Sequence, residues 1–519
     1  MRGTIVWGLA AVLAGSLSAQ GHGPTVPGPS DLEVALRADL GTYGYPISTA
    51  HPMAQRYFDQ GLRALWAAER KLALRSFAES ERLDPECAMC AWGLALASAP
   101  LAEPRDEPSD LERAREAIRR AERRAGTALP REQVLIRALG ARLPPGGPSP
   151  SELGYAEALA EAAARYPNDD EIQTLAATAH RLAASAGAGQ PNDGRFWPDA
   201  EIERRLELVV ARRPEHPGAC HQLVHLRERH PSEPLLDCAE RLAATMPGAG
   251  HLVHLPAHLQ LRMGRYPDAV AALHRALLVA PGSAEAGHLH QLMAHAATLL
   301  GASALALEHA RRASRPVAGS GAEGLLHPTE TAALAAFGRW SQVLGAPLPA
   351  PGQRFATGMV FYQRGRAFAA RRRFAEARAA GDSVSALAAR LADPELSGAL
   401  EAAALALEGE IALRQRRPNE AARLLESAVR REAALPDRMP PLLIEPPSRA
   451  LGRALLAAGR AGEAERIYRD ELARYPENGW SLFGLWQALS HAGRPDPDVK
   501  ARFELVWSLA DVRLSRRGW

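Results

Sequence analysis

The chain has 519 residues, more than one hydrophobic core usually serves, so it is either several domains or an array whose units touch only their neighbours. Aromatic residues make up 5% and Val and Ile are sparse beside Ala, Leu, Arg and Glu, a helix-forming usage that excludes a large β-sheet. With 62 Lys and Arg against 59 Asp and Glu the net charge is +3, without long runs of one sign, which excludes a nucleic-acid footprint.

In chain order, residues 1–19 read as a secretory signal: a basic residue, a short apolar run and small residues ending at Ala19. The apolar run is too short for a comfortable membrane span, so the mature chain is expected in the periplasm or secreted, without a membrane helix. Residues 20–32, rich in Gly and Pro, read as a flexible leader. Helical hairpins are expected over 33–142, over a histidine-rich stretch at 151–345, and over 354–519. Gly- and Pro-rich loops fall at 143–150, 186–199, 315–328 and 346–353.

The hairpins follow a 34-residue pattern with small residues where helices touch and a proline near the end of the second helix. Tyr57, Gly61, Ala73, Phe77 and Pro85 take positions 4, 8, 20, 24 and 32 of one unit. Leu451, Gly452, Gly459, Ala464, Tyr468 and Pro476 take positions 7, 8, 15, 20, 24 and 32 of another, with Gly409, Ala421 and Leu425 in the unit before. Pro214, Pro247 and Pro281 carry the period through the middle. The expected fold is therefore all-α, a tetratricopeptide-type (TPR) helical-hairpin solenoid wound as a right-handed superhelix.

Cysteines in an exported chain meet an oxidising compartment, where pairing is the default. Cys87 and Cys90 form a CxxC that suits a redox pair, half of a metal site or a simple disulfide. Cys220 and Cys238 stand at positions 4 and 23 of one hairpin, on two helices packed against each other, and are expected to pair.

Of 17 histidines, 11 lie between residues 216 and 295. The proline register places His221 and His225 at positions 5 and 9 of one first helix, and His251, His254 and His258 at positions 2, 5 and 9 of the next. In the third unit His288, Gln291 and His295 take the same three positions, counting from Gly301. Positions three and four apart share a helix face, and these positions line the concave groove, so three adjacent helices point nitrogen ligands at one another. His221, His225, His251, His254, His258 and His288 are the expected ligands of a transition metal, with His295 and Gln291 as additional candidates. All-imidazole ligation in an exported protein favours copper or zinc. Binding requires neutral imidazoles and is expected to weaken as pH falls through about 6.5. His216, His230, His274 and His290 fall off the stripe and read as surface or packing residues. The same groove also suits a nonenzymatic scaffold that binds a peptide or protein partner, and the residues leave open whether a bound metal would catalyse. No HExxH motif or Gly-rich phosphate loop is present, so an enzyme without the metal has no support.

Several segments, YFDQGL, FAESERLDPECAMCAWGLALA, RRPEHPGACHQLVH, MPGAGHLVHLPAHLQLRMGRY and YPENGWSLFGL, resemble a family of exported bacterial TPR proteins of about this size with no well-defined activity. The likeness touches the chain from about residue 51 to 493. It implies that His221, His225, His251, His254 and His258 belong to the family's histidine-rich central motifs, and that Cys87, Met89, Cys90 and Trp92 belong to its first-repeat motif. It also implies an HNLHF-like segment in the third unit. Here that segment reads His288, Leu289, His290, Gln291, and an amide is a poor transition-metal ligand.

Overall fold

A computed structural model describes residues 34–99, 108–147, 149–186, 196–281, 285–314 and 329–514. The expected signal and leader, and most of the loops at 186–199 and 315–328, lie outside the described residues. The chain from Leu36 onward forms one unit.

The described residues fold into 24 α-helices and no strand. The first set is α1 (Pro52–Trp66), α2 (Arg70–Leu83), α3 (Ala88–Ser98), α4 (Pro108–Arg124), α5 (Pro130–Arg142), α6 (Glu152–Arg165), α7 (Asp170–Ser185) and α8 (Asp199–Arg212). The histidine-rich set follows as α9 (Pro217–Arg227), α10 (Glu233–Thr245), α11 (Gly250–Arg262), α12 (Tyr266–Val279), α13 (Ala286–Leu299), α14 (Ser303–Ala313), α15 (Thr329–Ala336) and α16 (Trp340–Gly345). The last set is α17 (Arg354–Ala370), α18 (Phe374–Ala388), α19 (Pro394–Arg414), α20 (Pro418–Ala433), α21 (Pro447–Ala457), α22 (Ala461–Arg474), α23 (Gly479–His491) and α24 (Pro497–Trp507). Each helix packs on its sequence neighbour, and first helices of adjacent hairpins also touch, as in a TPR array.

Backbone conformation fixes the register. Ala68, Gly264, Gly301, Gly338, Arg372, Arg416, Gly459 and Gly493 all have positive φ, between 59° and 76°, and each sits in the short turn after the first helix of a hairpin. This is the left-handed residue that ends an α-helix, and glycine takes it at no steric cost. Gly264 and Gly301 thus give the hairpins that carry the histidines the same phase as the rest. Side chains agree: a Cβ on Gly61 would stand 2.7 Å from the buried Phe77 ring, so the small residue at position 8 is required by the bulky one at 24.

The array also folds back on itself at both ends. Helix α1 packs against α9, and Gly218 at the start of α9 lies under the Trp66 indole. At the other end Trp480 Nε1 donates to the Thr298 carbonyl on α13 at 2.7 Å, and Asp511 accepts from the backbone N–H groups of Ser303 and Ala304 at 2.7 and 2.8 Å. The histidine-bearing hairpins are therefore braced from both sides.

Candidate metal centre

Six histidines from α9, α11 and α13 converge. His221 and His225 are one turn apart on α9, His251, His254 and His258 occupy one face of α11, and His288 lies in the first turn of α13. Ring centroids stand 4.7 Å apart for His221 and His251, 5.0 Å for His251 and His254, and 5.4 Å for His258 and His288. Two sets of three, His221/His225/His251 and His254/His258/His288, place one ligand atom from each residue within 4.8 Å of the others. A third set joins His251, His254 and Glu285.

Neighbouring groups orient two of these rings. His221 Nδ1 lies 2.7 Å from the Trp66 carbonyl oxygen, which can only accept, so that nitrogen carries the hydrogen. His251 Nδ1 lies 2.7 Å from Glu285 Oε1, and the ionised carboxylate likewise accepts. Burial works against the Glu285 charge, yet the hydrogen bond from His251 and the surrounding imidazoles hold its carboxyl down at about 2. The remaining nitrogen of the buried His221 then carries a lone pair, and the two Nε2 atoms face each other at 2.9 Å. His258 Nε2 faces His288 Nε2 at 3.4 Å. For bonds of about 2.0–2.1 Å at a tetrahedral ion, two nitrogens stand about 3.3 Å apart, so both spacings fit ligands of a shared ion.

Burial pushes His221, His254 and His258 well below the ordinary imidazole value, with neighbouring imidazoles adding to the effect. His225 and His288 are lowered too, again chiefly by burial. These rings thus keep free lone pairs to lower pH than the 6.5 expected from the sequence. The buried Nδ1 atom of His254 has no hydrogen-bond partner, a condition that costs about 1–3 kcal/mol and that ligation through that nitrogen would relieve. The residues present therefore fit a transition metal. A cavity of about 560 Å³ opens beside His288, lined among others by Glu228, Gln291, Phe355, Met439 and Leu442.

Two carboxylates escaped the sequence reading. Glu285 reaches both His251 and His254, the latter at 3.9 Å, and Glu228 stands 3.9 Å from both His225 and His258. The available signal was spacing: Glu228 follows His225 by three residues and Glu285 precedes His288 by three, one helical turn in each case. Gln291 lines the cavity beside His288. His295 stands apart from the two trios and packs against Tyr475, ring centroids 6.1 Å apart. His216 is fully buried, its Nδ1 accepting from the Ala219 N–H at 3.2 Å while Nε2 contacts the Tyr43 hydroxyl at 3.0 Å. His230 and His274 are exposed, and His290 pairs with His309, Nδ1 to Nδ1, at 2.9 Å. Cys220 on α9 is disulfide-bonded to Cys238 on α10, and Cys87 is bonded to Cys90 at the start of α3.

No family model matches the chain, and no curated protein matches it. Among solved structures, that of yeast Tom70 is 11% identical over 87% of this chain and 92% of its own, with a TM-score of 0.28. The TPR domain of P58(IPK) is 13% identical over 85% of this chain and 98% of its own, with a TM-score of 0.22. The structure of Naa15/Naa10 bound to HypK-THB is 12% identical, covering 90% of this chain and 64% of that one, with a TM-score of 0.25. The class rests on the hairpins themselves: an all-α, TPR-type helical solenoid, with the 34-residue phase fixed by its left-handed turn residues.

Proposed function

We propose that this protein is an exported helical-repeat scaffold whose central groove holds a transition metal, copper or zinc, on histidine nitrogens. One observation carries the reading. Trp66 and Glu285 hold the Nδ1 hydrogens of His221 and His251 outward, so the Nε2 atoms of the two rings face each other at 2.9 Å, close enough to serve as two ligands of one cation. The disulfides Cys87–Cys90 and Cys220–Cys238 support an oxidising compartment, and with it export. An ion held there would supply Lewis acidity or, for copper, electron-transfer chemistry to a ligand entering beside His288. The chain's own contribution is to fix tautomers through Trp66 and Glu285, to bury the rings, and to leave room beside Gln291 and Phe355.

Metal analysis of untagged protein purified from its native compartment tests this. Copper or zinc is expected in at least stoichiometric amount, and the His254→Ala/His258→Ala variant should lose metal while keeping its helical circular dichroism. Metal-free protein that also fails to take up either ion would reject the metal reading and favour a groove that binds a peptide.

A further inference from the structure

The two histidine trios are built alike. His221 and His225 lie one turn apart on a first helix and are completed by His251, at position 2 of the next first helix. His254 and His258 lie one turn apart on that next helix and are completed by His288, at position 2 of the one after. The second trio is the first moved along by one hairpin, so it is the interface between hairpins that forms the site. The following interface breaks the rule, because Gln291 stands where the first of its two histidines should be.

We propose that the groove holds a pair of metal ions, one on His221/His225/His251 and one on His254/His258/His288, with Glu285 and Glu228 spanning the two. The pairing rests on the metal reading above and goes a step beyond it. Six imidazoles exceed the four ligands of a tetrahedral ion, whereas three to each ion leave an open position on both. Among the described residues the one close grouping of ligand atoms that mixes the two trios is His251 and His254 with Glu285, which takes a single histidine from each. Both carboxylates straddle the division. Glu285 lies 2.7 Å from His251 and 3.9 Å from His254, and Glu228 lies 3.9 Å from His225 and 3.9 Å from His258. Two negative charges set between the trios offset the mutual repulsion of two divalent cations, a repulsion that a single ion would not create. The chemical class of ligand follows: a small molecule able to bridge two ions, entering through the cavity beside His288.

Titration of metal-stripped, untagged full-length protein with Cu(II), and separately with Zn(II), tests the pairing by stoichiometry. Two equivalents are expected in the wild type, one in His221→Gln/His225→Gln and one in His254→Gln/His258→Gln, each variant first shown to keep wild-type helicity. Two nearby Cu(II) ions couple magnetically, so the electron paramagnetic resonance signal per copper should be weaker in the wild type than in either variant. One equivalent in the wild type, abolished by either pair of substitutions, would show a single shared ion: the pairing fails and the metal reading stands. No uptake, or uptake indifferent to all four substitutions, would overturn both.

Discussion

His180 carries a titration that nothing at its position in the sequence suggests. Its side chain is 1% exposed, its ring is stacked on Trp197 at 4.2 Å between centroids, and its Nδ1 accepts from the Trp197 backbone N–H at 3.2 Å. Burial, with the Arg205 guanidinium nearby, lowers its pKa to about 4. The unfolded chain binds this proton below about pH 6.5 and the folded chain only below about 4. The unfolded state therefore binds more protons between those values, and stability is lost as pH falls through that window, by about 2–3 kcal/mol for this residue alone. His180→Gln removes the titration and leaves an acceptor for Trp197. Denaturant unfolding of both proteins at a series of pH values should show the wild type losing about 2–3 kcal/mol more than the variant between pH 6.5 and 4. Parallel curves would sink the assignment. The acid sensitivity was illegible in the sequence because it arises where α7 meets the residues just before α8, and no local pattern joins His180 to Trp197.

The α9–α10 hairpin shows which features a repeat makes legible. Cys220 and Cys238 were placed by register on facing sides of one hairpin, and they are bonded and almost fully buried beside His221. A closed loop of this length contributes about 3 kcal/mol by restricting the unfolded chain. Cys220→Ala/Cys238→Ala should therefore lower unfolding free energy by about 3 kcal/mol, measured in denaturant without reductant. Cys87→Ala/Cys90→Ala, which opens a much shorter loop, should cost less. Equal losses in the two variants would mean that loop closure is not the cause. The same register exposed the histidine face, because positions 2, 5 and 9 recur with the helical period and Gly264 and Gly301 hold the phase. Glu285 and Glu228 stayed hidden because each sits at the edge of its helix, where a glutamate is an ordinary surface residue until another hairpin places an imidazole against it.

Contacts between hairpins far apart in the chain lie beyond what a repeat pattern can report, since the pattern describes only neighbours. Here they reach the candidate centre directly. The Trp66 carbonyl at the end of α1 fixes the His221 tautomer across 155 positions of sequence. Trp66 itself is held by its indole N–H, which donates to Glu171 at 3.0 Å, and Glu171 also accepts from the Tyr43 hydroxyl at 2.6 Å. Gly218, one turn before His221, makes this approach possible: a Cβ there would stand 2.5 Å from Trp66 Cε2 and 2.8 Å from Cε3. Gly218→Ala should push the end of α1 away from α9 and loosen the hydrogen bond that orients His221, without touching any ligand. Loss of such an outer partner typically weakens metal binding 10–100-fold. The second trio, His254/His258/His288, has no contact with α1 in this network and should keep its affinity. Competition of Gly218→Ala against a chelator should thus resolve one weakened and one unchanged Zn(II) equivalent, while His221→Gln/His225→Gln lacks the first altogether. If both equivalents weaken together, or neither does, then Trp66 does not tune the first trio and the bracing by α1 is purely structural.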